Sequence, residues 1–110
     1  MSLLKTQRHT SKACRDSCRD RACTLMLADR CSDTTTSQPV HVQHIGHGGM
    51  GTKPSDLFLA DGCDACHAIL DGRVKTNYTK EFLELTAYRA MYKKQQFFLD
   101  SGLVTMKGQK

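Results

Sequence analysis

The sequence predicts a small α+β fold held by a metal staple, and three observations carry that prediction. Residues 40–45, VHVQHI, alternate apolar and polar as a half-buried strand does, and a glycine-rich loop leads from them to a second short apolar run. Six cysteines, two of them in the spacing Cys63-Asp-Ala-Cys66, accompany only four Phe, three Tyr and no Trp in 110 residues. So thin an aromatic core gains from a cross-link. The last third has the three- and four-residue apolar spacing of a long helix.

Taken in order, the first dozen residues are polar and unpatterned and read as a loose stretch, within a basic N-terminal arm over residues 1–20. Ser11 to Ala22 suits a short helix, and Cys23–Leu27 (CTLML) a brief strand before the turn-prone ADRCSDTTTSQP. Val40–Ile45 is the first clear strand, Gly46–Gly51 the glycine loop, and Leu57–Leu59 the return strand of a hairpin. CDACHAIL suits a short helix that stops at Gly72. Thr79 can cap a final helix over about residues 79–101, with Phe82, Leu85, Tyr88, Met91, Tyr92 and Phe98 along its apolar stripe and Gly102 at its end. That stripe serves either the core or pairing with a second copy of the chain, a homodimer through the last helix. One domain over residues 21–110, with its core at 21–73, accounts for the chain.

Compartment decides how the cysteines are read. The first residues lack the apolar run of about 7–15 residues that marks a secretory signal. Nor does any stretch approach the roughly 20 apolar residues of a membrane span. The expectation is a cytoplasmic protein with no membrane partner, in which Cys-x-x-Cys is a metal or catalytic motif rather than part of a disulfide framework. The net charge of +5 is uneven: residues 1–30 carry +4, residues 31–72 carry −4, and residues 73–110 carry +5. Two basic ends flank an acidic, His- and Cys-rich middle, which suggests a polyanion held over a metal centre.

Cys63 and Cys66 can both reach one Zn²⁺, and a structural zinc needs four ligands. Cys23 and Cys31 are the natural second pair, with Cys14 and Cys18 as the alternative. CDACH also matches the haem-attachment pattern Cys-x-x-Cys-His. That chemistry normally follows export, however, and it would leave Cys23 and Cys31 unexplained. With four thiolates on zinc, His67 is free for other work, and His41, His44 and His47 lie just upstream. A strand, loop and helix with histidines at both ends can cage a divalent cation and a water. GHGGMGTK is not a nucleotide-binding P-loop, because Thr52 precedes Lys53 and Pro54 follows it.

Cys23 and Cys31, then His44 followed by GGMGTKPSD, then CDACHAILDGR, resemble the YbcO-like prophage family of HNH nucleases. The resemblance runs from about Arg21 to the end. It implies a ββα-metal fold, a hairpin and helix clasping one divalent ion beside a tetrathiolate zinc, in a phage or prophage protein acting on DNA in the bacterial cytoplasm. It implies that His44 is the general base and His67 a ligand of a catalytic Mg²⁺ or Mn²⁺, with structural Zn²⁺ on Cys23, Cys31, Cys63 and Cys66. Lys53, Arg19, Arg21 and Arg73 would grip the phosphate backbone. Gln43 stands where many HNH enzymes carry a second, charged ligand. His41, on the same strand face, and Asp71, from the helix side, are its substitutes. Asp56 stands in for the middle Asn. The alternative reading is a zinc-stabilised DNA-binding or adaptor module without catalysis.

Overall fold

The computed structural model describes residues 8–31, 34–42 and 54–108. Its centre is one antiparallel strand pair, β1 (Gln38–His41) and β2 (Leu59–Gly62), in the register Gln38↔Gly62, Pro39↔Asp61, Val40↔Ala60 and His41↔Leu59. The amide of Val42 donates to the Phe58 carbonyl (2.9 Å) and carries the pairing one step further. Both strands sit off the expected positions, β1 starting two residues early and β2 beginning where the return strand was to end. All four residues of β2 are buried, and Asp61 and Gly62 are among them. Apolar patterning therefore could not mark this strand.

Side chains alternate across the pair, and each face has its own core. Val40, Ala60 and Val42 join Leu25, Leu27, Cys63, Cys66, Ala87 and Ala90 on one face. Leu59 joins Cys14, Cys18 and Phe98 on the other. Gly62 allows the first packing: a Cβ there would lie 2.8 Å from both Leu25 Cδ1 and Val40 Cγ2.

The first face is closed by α2 (Asp64–Leu70), capped by Cys63, whose sulfur accepts from the Cys66 amide (3.4 Å). The helix ends before Gly72, whose φ of 81° is the left-handed conformation expected of a glycine there. The second face is covered by α1 (Lys12–Asp16), capped by Ser11, whose hydroxyl accepts from the Cys14 amide at 3.2 Å. This helix is much shorter than the expected Ser11–Ala22. The Ser17 carbonyl, which a longer helix would use internally, instead accepts from Lys94 Nζ (3.0 Å), and Asp20 adopts φ 57°.

The long helix α3 (Lys80–Ser101) spans both cores. Thr79 caps it (to the Phe82 amide, 3.1 Å) and Gly102 ends it at φ 81°, as the sequence predicts. Its buried side matches the expected stripe in part, with Phe98 buried and Tyr88 and Met91 packed against the first core, and differs in the rest. Ala87, Ala90, Lys94 and Phe98 face inwards, whereas Phe82, Leu85 and Tyr92 are 45, 47 and 72% exposed. Ala87 and Ala90 let the helix lie close to β2, Phe98 fills the second core, and Phe82, Leu85 and Tyr92 point away. No described helix is long and apolar enough to cross a membrane.

Two further expectations change. CTLML is not a ladder strand: Thr24 alone joins it to β2, through its amide and hydroxyl to the Asp61 carbonyl (both 2.9 Å), and Met26 turns the chain with φ 50°. The arm is not loose over residues 8–12, because polar contacts stitch it to residues 54–56. Arg8 Nε donates to the Pro54 carbonyl (3.2 Å), the His9 amide to Ser55 Oγ (2.8 Å), and the Asp56 amide to the His9 carbonyl (2.8 Å).

Candidate functional site

Cys23, Cys31, Cys63 and Cys66 place their sulfurs within 4.8 Å of one another, the one such group of three or more potential metal ligands among the described residues. The turn at Met26 and the N-terminus of α2 bring them together. Cys31 Sγ and Cys66 Sγ are 3.7 Å apart. Four sulfurs at ~2.3 Å around a tetrahedral zinc would be separated by about 3.8 Å, so the cluster has the dimensions of a zinc site. Backbone amides also point at the sulfurs: Leu27 (3.2 Å) and Ala28 (3.4 Å) at Cys66, and Met26 (3.5 Å) at Cys23.

These amides explain why CTLML forgoes a ladder. Its donors face sulfur, where they favour thiolate. Burial pushes the Cys66 thiol up, against the pull of the Ala28 and Leu27 amides. Burial and the neighbouring Cys66 push Cys31 up to about 12. A cation that deprotonates the set removes that conflict, so the four cysteines can hold a metal such as zinc. Cys14 and Cys18 take no part in the cluster. They lie in the second core, where burial raises the Cys18 thiol to about 12.

His67 projects from the middle of α2 and is bound on both ring nitrogens. Nδ1 is 2.8 Å from Gln38 Oε1, and Nε2 is 3.2 Å from Asp71 Oδ2. The Gln38 amide is oriented by its own Nε2–H, which donates to the Thr36 carbonyl (3.2 Å) and turns Oε1 to the ring. Nδ1 therefore carries a hydrogen. Neutral imidazole then has a lone pair on Nε2, facing a carboxylate. Two acceptors meet there, and a cation or a second ring proton must lie between them. Arg73 Nη2 touches the same Asp71 oxygen at 3.5 Å.

His41 belongs to a different cluster. It lies opposite Leu59, on the strand face of the second core, and its Nε2 is 2.8 Å from Asp56 Oδ1. Gln38, which holds His67, shares the other face with Val40. Asp56 is 2% exposed and also accepts at Oδ2 from the Ser11 amide (2.7 Å) and Arg15 Nη1 (2.5 Å), with Arg8 Nη2 3.9 Å from Oδ1. Burial raises its pKa. The bonds from Ser11, His41 and Arg15 outweigh that and hold the carboxyl below its ordinary value.

Of the other residues singled out in the sequence, His44, Lys53, Gln43, His47 and the glycine loop at 46–51 lie outside the described residues. Arg73 stands beside the His67–Asp71 pair. Arg19 is 58% exposed and 3.7 Å from Asp16 Oδ1. Arg21 is engaged within the fold, 3.5 Å from Asp61 Oδ2 and 4.2 Å over the Phe97 ring. Sequence reasoning passed over Gln38, although it lies two residues before Val40 and so on the same strand face; the following Pro39 made the segment look like a turn.

The sequence model of the family described as "Putative nuclease YbcO" matches residues 12–103. Two relatives, "Putative nuclease YbcO" of Escherichia coli strain K12 and "Putative nuclease ybcO" of Enterobacteria phage 82, are each 33% identical over 94 residues, covering 82% of this chain and 94% of the relative. A solved structure, "Structure of a putative bacteriophage protein from Escherichia coli str. K-12 substr. MG1655", is similar in fold. It has a TM-score of 0.65 and 24% identity, covering 82% of this chain and 100% of its own.

Proposed function

This chain belongs to the YbcO family, and from that membership we propose that it is a metal-dependent HNH-type endonuclease that hydrolyses DNA phosphodiester bonds in the cytoplasm of a phage-carrying bacterium. The observation that carries the reading is that His67 Nε2 stands 3.2 Å from the Asp71 carboxylate. One imidazole nitrogen and one carboxylate oxygen, beside a hairpin and a thiolate cluster, form a donor pair suited to a hard divalent cation such as Mg²⁺ or Mn²⁺.

When bound, that ion supplies positive charge against the scissile phosphate and the leaving 3′-oxygen. The chain's own residues do the rest. His67 and Asp71 hold the ion. His44 accepts the proton of the water that attacks phosphorus in line, a task suited to an imidazole near neutral pH. Arg73, next to Asp71, meets a phosphate oxygen, and Lys53, Arg19 and Arg21 contribute positive charge along the backbone. His41 has its nearest described partner in Asp56, and we assign the pair to fixing the end of β1, from which the His44 segment departs. Structural zinc on the four cysteines holds α2, and with it His67, against the strand pair.

The test is nicking of supercoiled plasmid by purified, zinc-loaded protein with Mg²⁺ or Mn²⁺, beside EDTA, His44→Ala and His67→Ala. Cleavage should vanish in all three controls. Cleavage that survives His67→Ala in a pure preparation rejects the assignment. A folded wild-type protein that binds DNA and never cuts it favours the non-catalytic zinc module.

A further inference from the structure

We propose that Gln38 is a positioning residue that fixes His67 in the Nδ1–H tautomer and so keeps the Nε2 lone pair available to a divalent cation. The inference rests on the reading of His67 as an ion ligand, and it follows from a competition visible around the ring. Asp71, 3.2 Å from Nε2, is an acceptor. By itself that carboxylate would favour a proton on Nε2, which would block the nitrogen as a ligand. Gln38 Oε1, 2.8 Å from Nδ1, draws the proton the other way. A neutral ring has one proton to place, and the shorter contact belongs to Gln38.

The amide could escape by flipping, offering its NH₂ to Nδ1 and allowing the proton to move to Nε2. Thr36 opposes the flip. Its carbonyl accepts from Gln38 Nε2 (3.2 Å), and a flipped amide would set two carbonyl oxygens against each other. Thr36 lies in a 3₁₀ turn (Thr34–Thr36) that is itself tied to α2, because its hydroxyl accepts from the Asp64 amide at 3.3 Å. Gln38 is at the start of β1, opposite Gly62. Turn, strand and helix therefore hold amide and imidazole in a fixed relation, the kind of outer support that orients metal-ligating histidines in general.

The tautomer can be read without any divalent ion or any activity. ¹⁵N NMR of the imidazoles, in zinc-loaded protein at a pH where the ring is neutral, should show His67 protonated at Nδ1. Gln38→Leu should move that proton to Nε2 and weaken Mn²⁺ binding, followed by electron paramagnetic resonance, by about 10- to 100-fold. Gln38→Glu keeps an acceptor at Nδ1 but sets its second oxygen against the Thr36 carbonyl, so it should restore Nδ1–H and only part of the affinity. Unchanged zinc content and amide spectra in both variants exclude a general disturbance.

A wild-type ring protonated at Nε2 overturns the proposal, and so does a Gln38→Leu variant with the wild-type tautomer and Mn²⁺ affinity. If His67→Ala leaves Mn²⁺ binding intact while the Gln38 variants shift the tautomer as stated, the orienting role of Gln38 holds and the ligand assignment of His67 fails. The two failures are therefore separable.

Discussion

Asp56 and Lys94 are buried charges of the same helix-bound second face, and they are stabilised differently. Asp56 gathers the Ser11 amide, Arg15 and His41 around a carboxylate whose pKa is held below the 3.8 of an unperturbed aspartate. Its contribution to stability is complete above the unfolded value and is lost as pH falls through the depressed folded one. We expect Asp56→Asn to cost about 1–3 kcal/mol near neutral pH, read from urea midpoints. The gap to wild type should close as pH drops below 3.8. A gap that stays constant to the acid limit would mean the carboxylate charge is not what holds residues 8–15. Lys94 is 2% exposed, with Nζ 2.9 Å from Asp61 Oδ1 and 4.4 Å over the Phe97 ring. Removing it leaves Asp61 with Arg21 as its remaining cation, so Lys94→Ala should lose about 3–5 kcal/mol. A loss under 1 kcal/mol in the same titration would show that water reaches Asp61. The sequence named Asp56 as a site residue but gave no sign of its partners, which are up to 48 positions away. It gave no sign at all of Lys94, since a lysine within KKQQ reads as solvent-facing.

Elements closed by local chemistry were legible, and elements defined by what covers them were not. Thr79, Gly102, Cys63 and Gly72 act within one turn of their own position, so the limits of α2 and α3 could be read directly. β2 is a strand because both its faces are covered, and its residues LADG carry no strand signal of their own. The buried side of α3 was legible at Phe98 and misjudged nearer the start of the helix for a related reason: what decides it there is the close approach to β2, which selects Ala87 and Ala90 over Phe82 and Leu85. Gly62 tests the same packing. An added methyl would sit 2.8 Å from the side chains of Leu25 and Val40, and Val40 is stiff at χ1. Gly62→Ala should therefore destabilise by about 1–3 kcal/mol while the zinc content stays whole. If the variant is as stable as wild type by urea unfolding, the first core is looser than this geometry implies.

At the scale of the molecule, the thiolate cluster, the strand pair and the docked N-terminal segment form one chain of dependence. Residues 23–31 have a single described backbone link to the sheet, at Thr24, and are otherwise fixed by the packing of Leu25 and Leu27 in the first core, by the Tyr78 hydroxyl on the Leu27 carbonyl, and by Cys23, Cys31 and the amides aimed at Cys66. Structural zinc contributes about 10–16 kcal/mol of apparent free energy in small domains, as much as a domain's whole stability of about 5–15 kcal/mol. The first core should therefore not outlive the metal. Because β2 lends alternate residues to both cores, the loss should spread through Leu59 and Asp61 to Phe98 and Lys94 on the far side. Titrating the protein with a strong zinc chelator should release one zinc per chain and, in the same transition, the far-ultraviolet signal of α3. Release of zinc with the helix signal and the urea midpoint unchanged would confine the cluster to a local role. The support for His67 would then have to come from Gln38 and the strand pair alone.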